Sequence, residues 1–265
     1  MDAQRDDRGP AVSGGAVVPR DRHLDWDGCH NVRDLGGMRT ADGRETLWGA
    51  LVRSDAPERL SPAGWRALAD HGVRTVVDLR NDGDWRGGTV SRPAGLTTVR
   101  VPLDDRGDTE FWSGPAEGLY GTPLYYRPFL ERKAERCAAA ISAIARAEPG
   151  GVVVHCMAGR DRTGLVTLLM LALAGVPAAD IAADYELSAE RLRPLFVKLG
   201  EADEGPRIQA MLARANTTAR EVIEATVESL DVESYLRGAG LGDDDLAAAR
   251  TRLVGPAART APPAT

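Results

Sequence analysis

The architecture of the chain is set out most plainly at Val152-Val153-Val154-His155-Cys156-Met157-Ala158-Gly159-Arg160-Asp161-Arg162-Thr163-Gly164. A β-branched run enters a tight polar loop, and an apolar helix from Thr163 to Ala174 leaves it. Such a loop, opening a helix, points unpaired backbone N–H groups into one concavity, and the helix dipole adds its positive end. Arg162 brings a planar fork for two phosphate oxygens. Cys156 lies at the floor, where the field that binds an anion also lowers a thiol pKa, so a thiolate is expected near neutral pH. Thr163 can donate a hydrogen bond to that sulfur, and Gly159 lets the backbone curl. These parts imply a nucleophile beneath a tetrahedral anion, and covalent catalysis through a phosphocysteine. A lone cysteine after a strand reads as a small buried hydrophobe. The chemistry rests on His155, Cys156, Gly159, Arg162, Thr163 and Gly164 together, at fixed offsets between a strand and a helix.

Two other phosphate loops do not fit. A nucleotide-binding loop needs Gly-Lys-Ser/Thr at its end, but Leu165 follows Gly164. Gly238-Ala239-Gly240-Leu241-Gly242 lies between helical segments, not after a strand, and reads as a turn.

Outward from the loop, strands alternate with helices. Ser61-Pro62 starts a helix that Gly72 ends. Arg74 to Leu79 reads as a buried strand, and Thr97 to Leu103 alternates like one. Leu130, Ala134, Cys137, Ile141 and Ile144 mark one face of a long helix over about 124–147, which Gly150-Gly151 breaks. Beyond Pro177 the chain reads as wholly helical, with a capping box at Thr218-x-x-Glu221 and a last helix over Asp243–Leu253. The stretch 193–217 is less regular and reads as a mobile helical insertion. The expectation is an α/β class: a three-layer α/β/α domain with a mostly parallel central sheet and a helical C-terminal part.

The 265 residues suffice for one domain with a real core. A net charge of -6 argues against a general nucleic-acid binder. Cys29, Cys137 and Cys156 form neither a disulfide framework nor a zinc cluster, which points to a reducing compartment. The four histidines, His23, His30, His71 and His155, are scattered, and no metal or organic cofactor is implied. Residues 1–22 and 256–265 read as tails around a domain over 23–255. The charged N-terminus lacks an apolar signal region, and the longest apolar run, Leu165 to Val176, is too short to span a bilayer. A cytoplasmic protein without integral membrane association is expected.

His155-Cys156-x-x-Gly159-x-x-Arg162-Thr163-Gly164 resembles the signature of protein tyrosine phosphatases and their dual-specificity relatives. Cys-Met-Ala-Gly-Arg-Asp-Arg-Thr-Gly resembles the bacterial tyrosine/serine phosphatase family in particular. Asn31-Val32-Arg33-Asp34-Leu35-Gly36-Gly37, Leu51-Val52-Arg53-Ser54, Val76-Val77-Asp78-Leu79-Arg80 and Tyr235-Leu236 before Gly240-Leu241 extend the resemblance over about 23–254. It implies that Cys156 is the nucleophile and Arg162 the phosphate clamp. The amides from Met157 through Ala158, Gly159 and Arg160 to Arg162 would cradle the phosphoryl oxygens. Asn31, Arg33, Asp34, Arg53 and Asp78 read equally as structural pairs and turn contacts.

A leaving oxygen needs a proton, which one carboxyl group can supply. The Trp-Pro-Asp tripeptide of many tyrosine phosphatases is absent. Asp161, inside the loop, is the first candidate; Asp104, Asp105 and Asp108, after the Thr97–Leu103 strand, are the others. Arg160 adds a second positive charge, which suits either a phosphorylated protein or a phosphoinositide unless it only offsets Asp161. Two further readings are a rhodanese-like sulfurtransferase, whose loop is usually shorter, and an inactive phosphate-binding module.

Overall fold

The computed structural model describes residues 21–84 and 92–256. Of the tails expected at 1–22 and 256–265, residues 1–20 and 257–265 lie outside the described residues. Arg22, at the edge of the first, is engaged: its Nη1 lies 2.8 Å from Asp184 Oδ1.

Five strands form one sheet among these residues: β1 (Arg33–Asp34), β2 (Leu51–Ser54), β3 (Val73–Asp78), β4 (Thr97–Arg100) and β5 (Gly151–His155), in the order β1-β2-β5-β3-β4. β1 runs antiparallel to β2, and every other neighbouring pair is parallel. β5 is central, with Val153 paired to Val52 on one side and Val76 on the other. All five of its residues are buried, as a parallel strand covered on both faces requires.

Alternation along the strands divides the core. Leu51, Val77, Val152 and Val154 pack into the larger cluster, with Cys137, Ile141, Leu165 and Leu169. These helical partners lie on α4 (Ala134–Ala145) and α5 (Asp161–Leu173), which α11 (Asp243–Val254) packs against. Val52, Val76 and Val153 face the other way, onto Trp26, Trp65 and Leu68. Trp65 and Leu68 belong to α1 (Pro62–Asp70), whose N-cap Ser61 accepts from the amides of Ala63 and Gly64. This is the three-layer α/β/α arrangement. In α5 every residue from Arg162 to Leu171 is buried, which explains why no polar stripe marks that helix.

The helix expected over about 124–147 is divided. A 3-10 turn over Pro123–Tyr125 leads to α3 (Tyr126–Arg132), and α4 starts after Lys133. Lys133 has left helical geometry (φ -124°, ψ 34°), and its ammonium reaches Asp105 and Asp108. The strand expected to Leu103 ends at Arg100, because Pro102 has no N–H; single bonds from Val101 and Leu103 to Asp78 and Leu79 carry the chain on. Beyond Pro177 the chain is helical as expected: α6 (Ala178–Arg191), α7 (Arg193–Leu199), α8 (Gly205–Arg214), α9 (Ala219–Glu228), α10 (Val232–Gly238) and α11. The Thr218–Glu221 capping box forms in full. The stretch 193–217 is thus two short helices, α7 and α8, joined by a connection over 200–204. Among the described residues no helix is long and apolar enough to cross a membrane.

Candidate active site

The loops after β2, β3, β4 and β5 leave the C-terminal ends of parallel strands, where open α/β sheets place ligands. The loop after β5 runs from Cys156 to the start of α5 at Asp161. The carbonyls of Met157, Ala158 and Gly159 are turned outward. Met157 O accepts from Arg59 Nη1 at 2.8 Å and from the Ala56 amide. Ala158 O accepts from Asn31 Nδ2 at 2.9 Å, and Gly159 O from Arg53 Nη2 at 2.8 Å. A trans peptide sets each N–H antiparallel to the preceding C=O. The N–H groups of Ala158, Gly159 and Arg160 therefore point into the concavity. The first turn of α5 adds further unpaired amides.

Gly159 is required twice over. Its φ is +67°, and a Cβ there would lie 2.4 Å from Ser54 O. Cys156 is buried, 3% exposed and in no disulfide, directly after the fully buried His155. His155 Nδ1 lies 3.0 Å from the Cys156 carbonyl, so Nδ1 carries the proton and donates it. Burial, partly offset by Asp78, brings the His155 pKa down to about 4. Arg162 is also buried, paired with Asp84 and, at 3.4 Å through Nε, with Asp104. Burial opposes its charge, but Cys156 and Asp104 outweigh it and raise the guanidinium above its ordinary value.

A tyrosine phosphatase family model matches residues 24–255. The chain belongs to this family. It is a cysteine-dependent protein-tyrosine phosphatase by family and by its relatives. The chain is 27% identical over 277 residues to the triple specificity protein phosphatase PtpB of Mycobacterium tuberculosis, covering 86% of this chain and 98% of that one. It is 29% identical over 231 residues to a tyrosine-protein phosphatase of Nostoc commune, covering 77% and 74%.

In this phosphatase the carboxylates near the loop have different surroundings. Asp161 starts α5 and accepts from Arg160 Nε at 3.2 Å and Nη2 at 3.1 Å, and from Tyr185 Oη at 3.4 Å. Asp105 and Asp108 hold Lys133, and Asp108 also caps α2 (Thr109–Trp112) by accepting from the Phe111 amide. Asp104 is 2% exposed, and among the described residues neither of its carboxyl oxygens has a hydrogen-bond partner. Burial, against the pull of Arg162, lifts it to about 6. Beside it a cleft of about 450 Å³ is lined by Asp104, Arg106, Thr109, Trp112, Ser113 and Tyr120. Trp112 and Tyr120 meet edge to face, ring centroids 5.7 Å apart.

Arg160 is not a free second charge. Its Nη2 lies 2.7 Å from Glu204 Oε2 and 3.1 Å from Asp161 Oδ2, and donates to Gly121 O. Met157 and Ala158 are half-buried, and Ala158 packs against Leu192, Leu195 and Phe196. Thr163 Oγ1 is buried without a hydrogen-bond partner among the described residues, so the expected bond to the sulfur is not formed here.

The flanking motifs are supports. Asp34 accepts from the amides of Gly36 and Gly49 and pairs with His71. Arg33 and Arg53 share Asp184, and Asp78 pairs with Arg80. Among the described residues Glu58, Asp78 and His155 bring three ligand atoms within 4.8 Å. Arg80 already spans that cluster, donating to Asp78 and to Glu58 at 2.7 Å, so it is an ion-pair network. Sequence reasoning missed Asp84 and Asp184. Neither carries a local signal, because each acts on an arginine far away in the chain.

Proposed function

We propose that the protein hydrolyses phosphotyrosine through a phosphocysteine on Cys156. The outward carbonyls of Met157, Ala158 and Gly159 are the observation that carries this reading, since they leave the amides free for phosphoryl oxygens. Cys156 Sγ attacks phosphorus, the P–O bond to tyrosine breaks, and the leaving oxygen takes a proton. Arg162 and the amides up to Arg162 hold the three equatorial oxygens. Water then attacks, the S–P bond breaks, and inorganic phosphate leaves. For the proton, the surroundings favour Asp104: it is lifted to about 6 and accepts no hydrogen bond from the described residues, whereas Asp161 accepts from Arg160. Asp161 then serves to hold Arg160 against the loop.

The aromatic pair Trp112 and Tyr120 in the adjoining cleft favours an aryl phosphate over phosphoserine or phosphothreonine. The triple specificity in the name of PtpB makes those two esters a secondary reading for this chain. A phosphoinositide is a weaker fit, because Arg160 is already neutralised by Asp161 and Glu204. Three free thiols support a reducing, cytoplasmic location.

The test compares turnover of a phosphotyrosine peptide, a phosphoserine peptide and phosphoinositide vesicles by wild type, Cys156→Ser, Asp104→Asn and Asp161→Asn. Cys156→Ser should be inactive on all three, and the phosphotyrosine peptide should lead. Asp104→Asn should lose roughly 10²-fold or more in kcat on the peptide. The larger loss in Asp161→Asn would return the acid to the loop.

A further inference from the structure

The carboxylate that touches the phosphate clamp most closely is Asp84, which the reaction above does not use. Its Oδ2 pairs with Arg162 Nη1 and accepts from the Asn81 amide at 3.1 Å. Its Oδ1 pairs with Arg106 Nη2. The Asp84 side chain is 3% exposed, although its loop is at the surface. One carboxylate thus ties together three loops: 79–84 after β3, 101–108 after β4, and the loop from β5 into α5. It links these loops, which leave the C-terminal ends of neighbouring strands, to Arg162.

The occupied atom decides the consequence. A guanidinium binds an anion bidentately through two parallel N–H bonds along one edge. Asp84 holds Nη1, and Asp104 stands 3.4 Å from Nε without a hydrogen bond. The edge made by Nε and Nη2 is therefore the one open to phosphate once Asp104 carries its proton. Asp84 keeps Nη1 throughout and fixes the plane in which that edge lies.

We propose that Asp84 is the positioning residue of the clamp: it sets the plane of Arg162 from behind while opposing, by its charge, the binding of the anion in front. This rests on the reading of Arg162 as the phosphate ligand. A positioning role has a cost that a merely structural one lacks. The negative charge close to the bound dianion weakens ground-state binding, while the fixed plane raises the rate of the chemical step.

The experiment uses the full chain with an aryl phosphate, and inorganic phosphate as competitive inhibitor. Asp84→Asn keeps size and removes charge. It should lower kcat by roughly tenfold or more, through the lost orientation. The phosphate Ki should at the same time fall several-fold, because one opposing charge is gone. Asp84→Glu keeps the charge and should return Ki to near the wild-type value, with kcat between the two. An unchanged kcat in Asp84→Asn, or a Ki that rises as kcat falls, overturns the proposal. Arg162→Lys, measured alongside, separates the two readings. If it leaves phosphate inhibition intact, the clamp assignment fails, whereas a clamp confirmed there with no kcat–Ki split in Asp84→Asn overturns only the role of Asp84.

Discussion

Arg53 Nη1 lies 2.7 Å from Asp184 Oδ2, beneath the loop that carries Cys156. The other arm of the same guanidinium holds the Gly159 carbonyl. Asp184, on α6, also receives Arg33 Nε at 3.0 Å and Arg22 Nη1 at 2.8 Å. Burial works against this carboxylate, but Arg33, Arg53 and Arg22 together hold it well below the usual carboxylate range. Burial and the nearby Arg53 bring Arg33 down to about 9. The active loop thus rests on an arginine that is itself held by a helix.

Removing the Asp184 charge leaves Arg33 and Arg53 buried without their counter-ion. Asp184→Asn should cost about 3–5 kcal/mol of stability, the range for breaking a buried pair. Urea unfolding at neutral pH reads it directly. A loss under about 1 kcal/mol would mean that water, not Asp184, compensates the arginines.

Gly159→Ala tests the backbone. The new methyl meets Ser54 O at 2.4 Å, in a φ that favours glycine. The loop must shift, and a displacement of about 1 Å costs on the order of 10²-fold in rate. Aryl phosphate turnover should fall by that much while the far-UV circular dichroism keeps its helical form. Retained activity would show that the loop tolerates repositioning.

The chemistry of the loop was legible because its parts are consecutive: strand, thiol, glycine, arginine and helix follow one another from Val152 to Gly164. The capping box and the Ser61 cap were legible for the same reason. What escaped reading is non-local. Asp84 acts across 78 positions and Asp184 across 131, and nothing near either marks its partner. The break at Lys133 is invisible to periodicity, because Leu130, Cys137 and Ile141 stay buried on either side of it. Among the four aspartates the sequence put Asp161 first as proton donor, for its closeness to the phosphate. What sets Asp104 apart, burial without a hydrogen bond from the described residues, is a property of the packed loops after β4 and β5 and has no local mark in the sequence.

Asp104 carries a pH signature in stability. Its folded pKa of about 6 exceeds the ordinary unfolded value of about 3.9. The folded state holds the extra proton, so this group's contribution is fully present below about pH 4 and is lost as pH rises through 6. Asp104→Asn should therefore stabilise the protein at pH 8, by up to about 3 kcal/mol, and have little effect at pH 4. An equal gain at both values would place the cause in packing instead.

His155 should behave in the opposite sense. Its folded pKa of about 4 is below the unfolded value of about 6.5, so its contribution is present above 6.5 and is lost as pH falls through 4. Nitrogen-15 NMR of the histidines should find His155 neutral at pH 5.5, with the proton on Nδ1. An imidazolium at that pH would sink the assignment.

The position of β5 has a consequence for the order of assembly. Leu51 pairs with Val152, and Val73 with Gly151, so the central strand closes loops of about a hundred and nearly eighty residues on its two sides. Contacts of such separation form late, after their chain entropy has been overcome. The carbonyl partners of the loop, Asn31, Arg53 and Arg59, all precede it by about a hundred positions. A fragment lacking β2 would thus contain the complete signature and no working cradle. Activity therefore reports the long-range closure of β5 against β2, and not the presence of the signature alone.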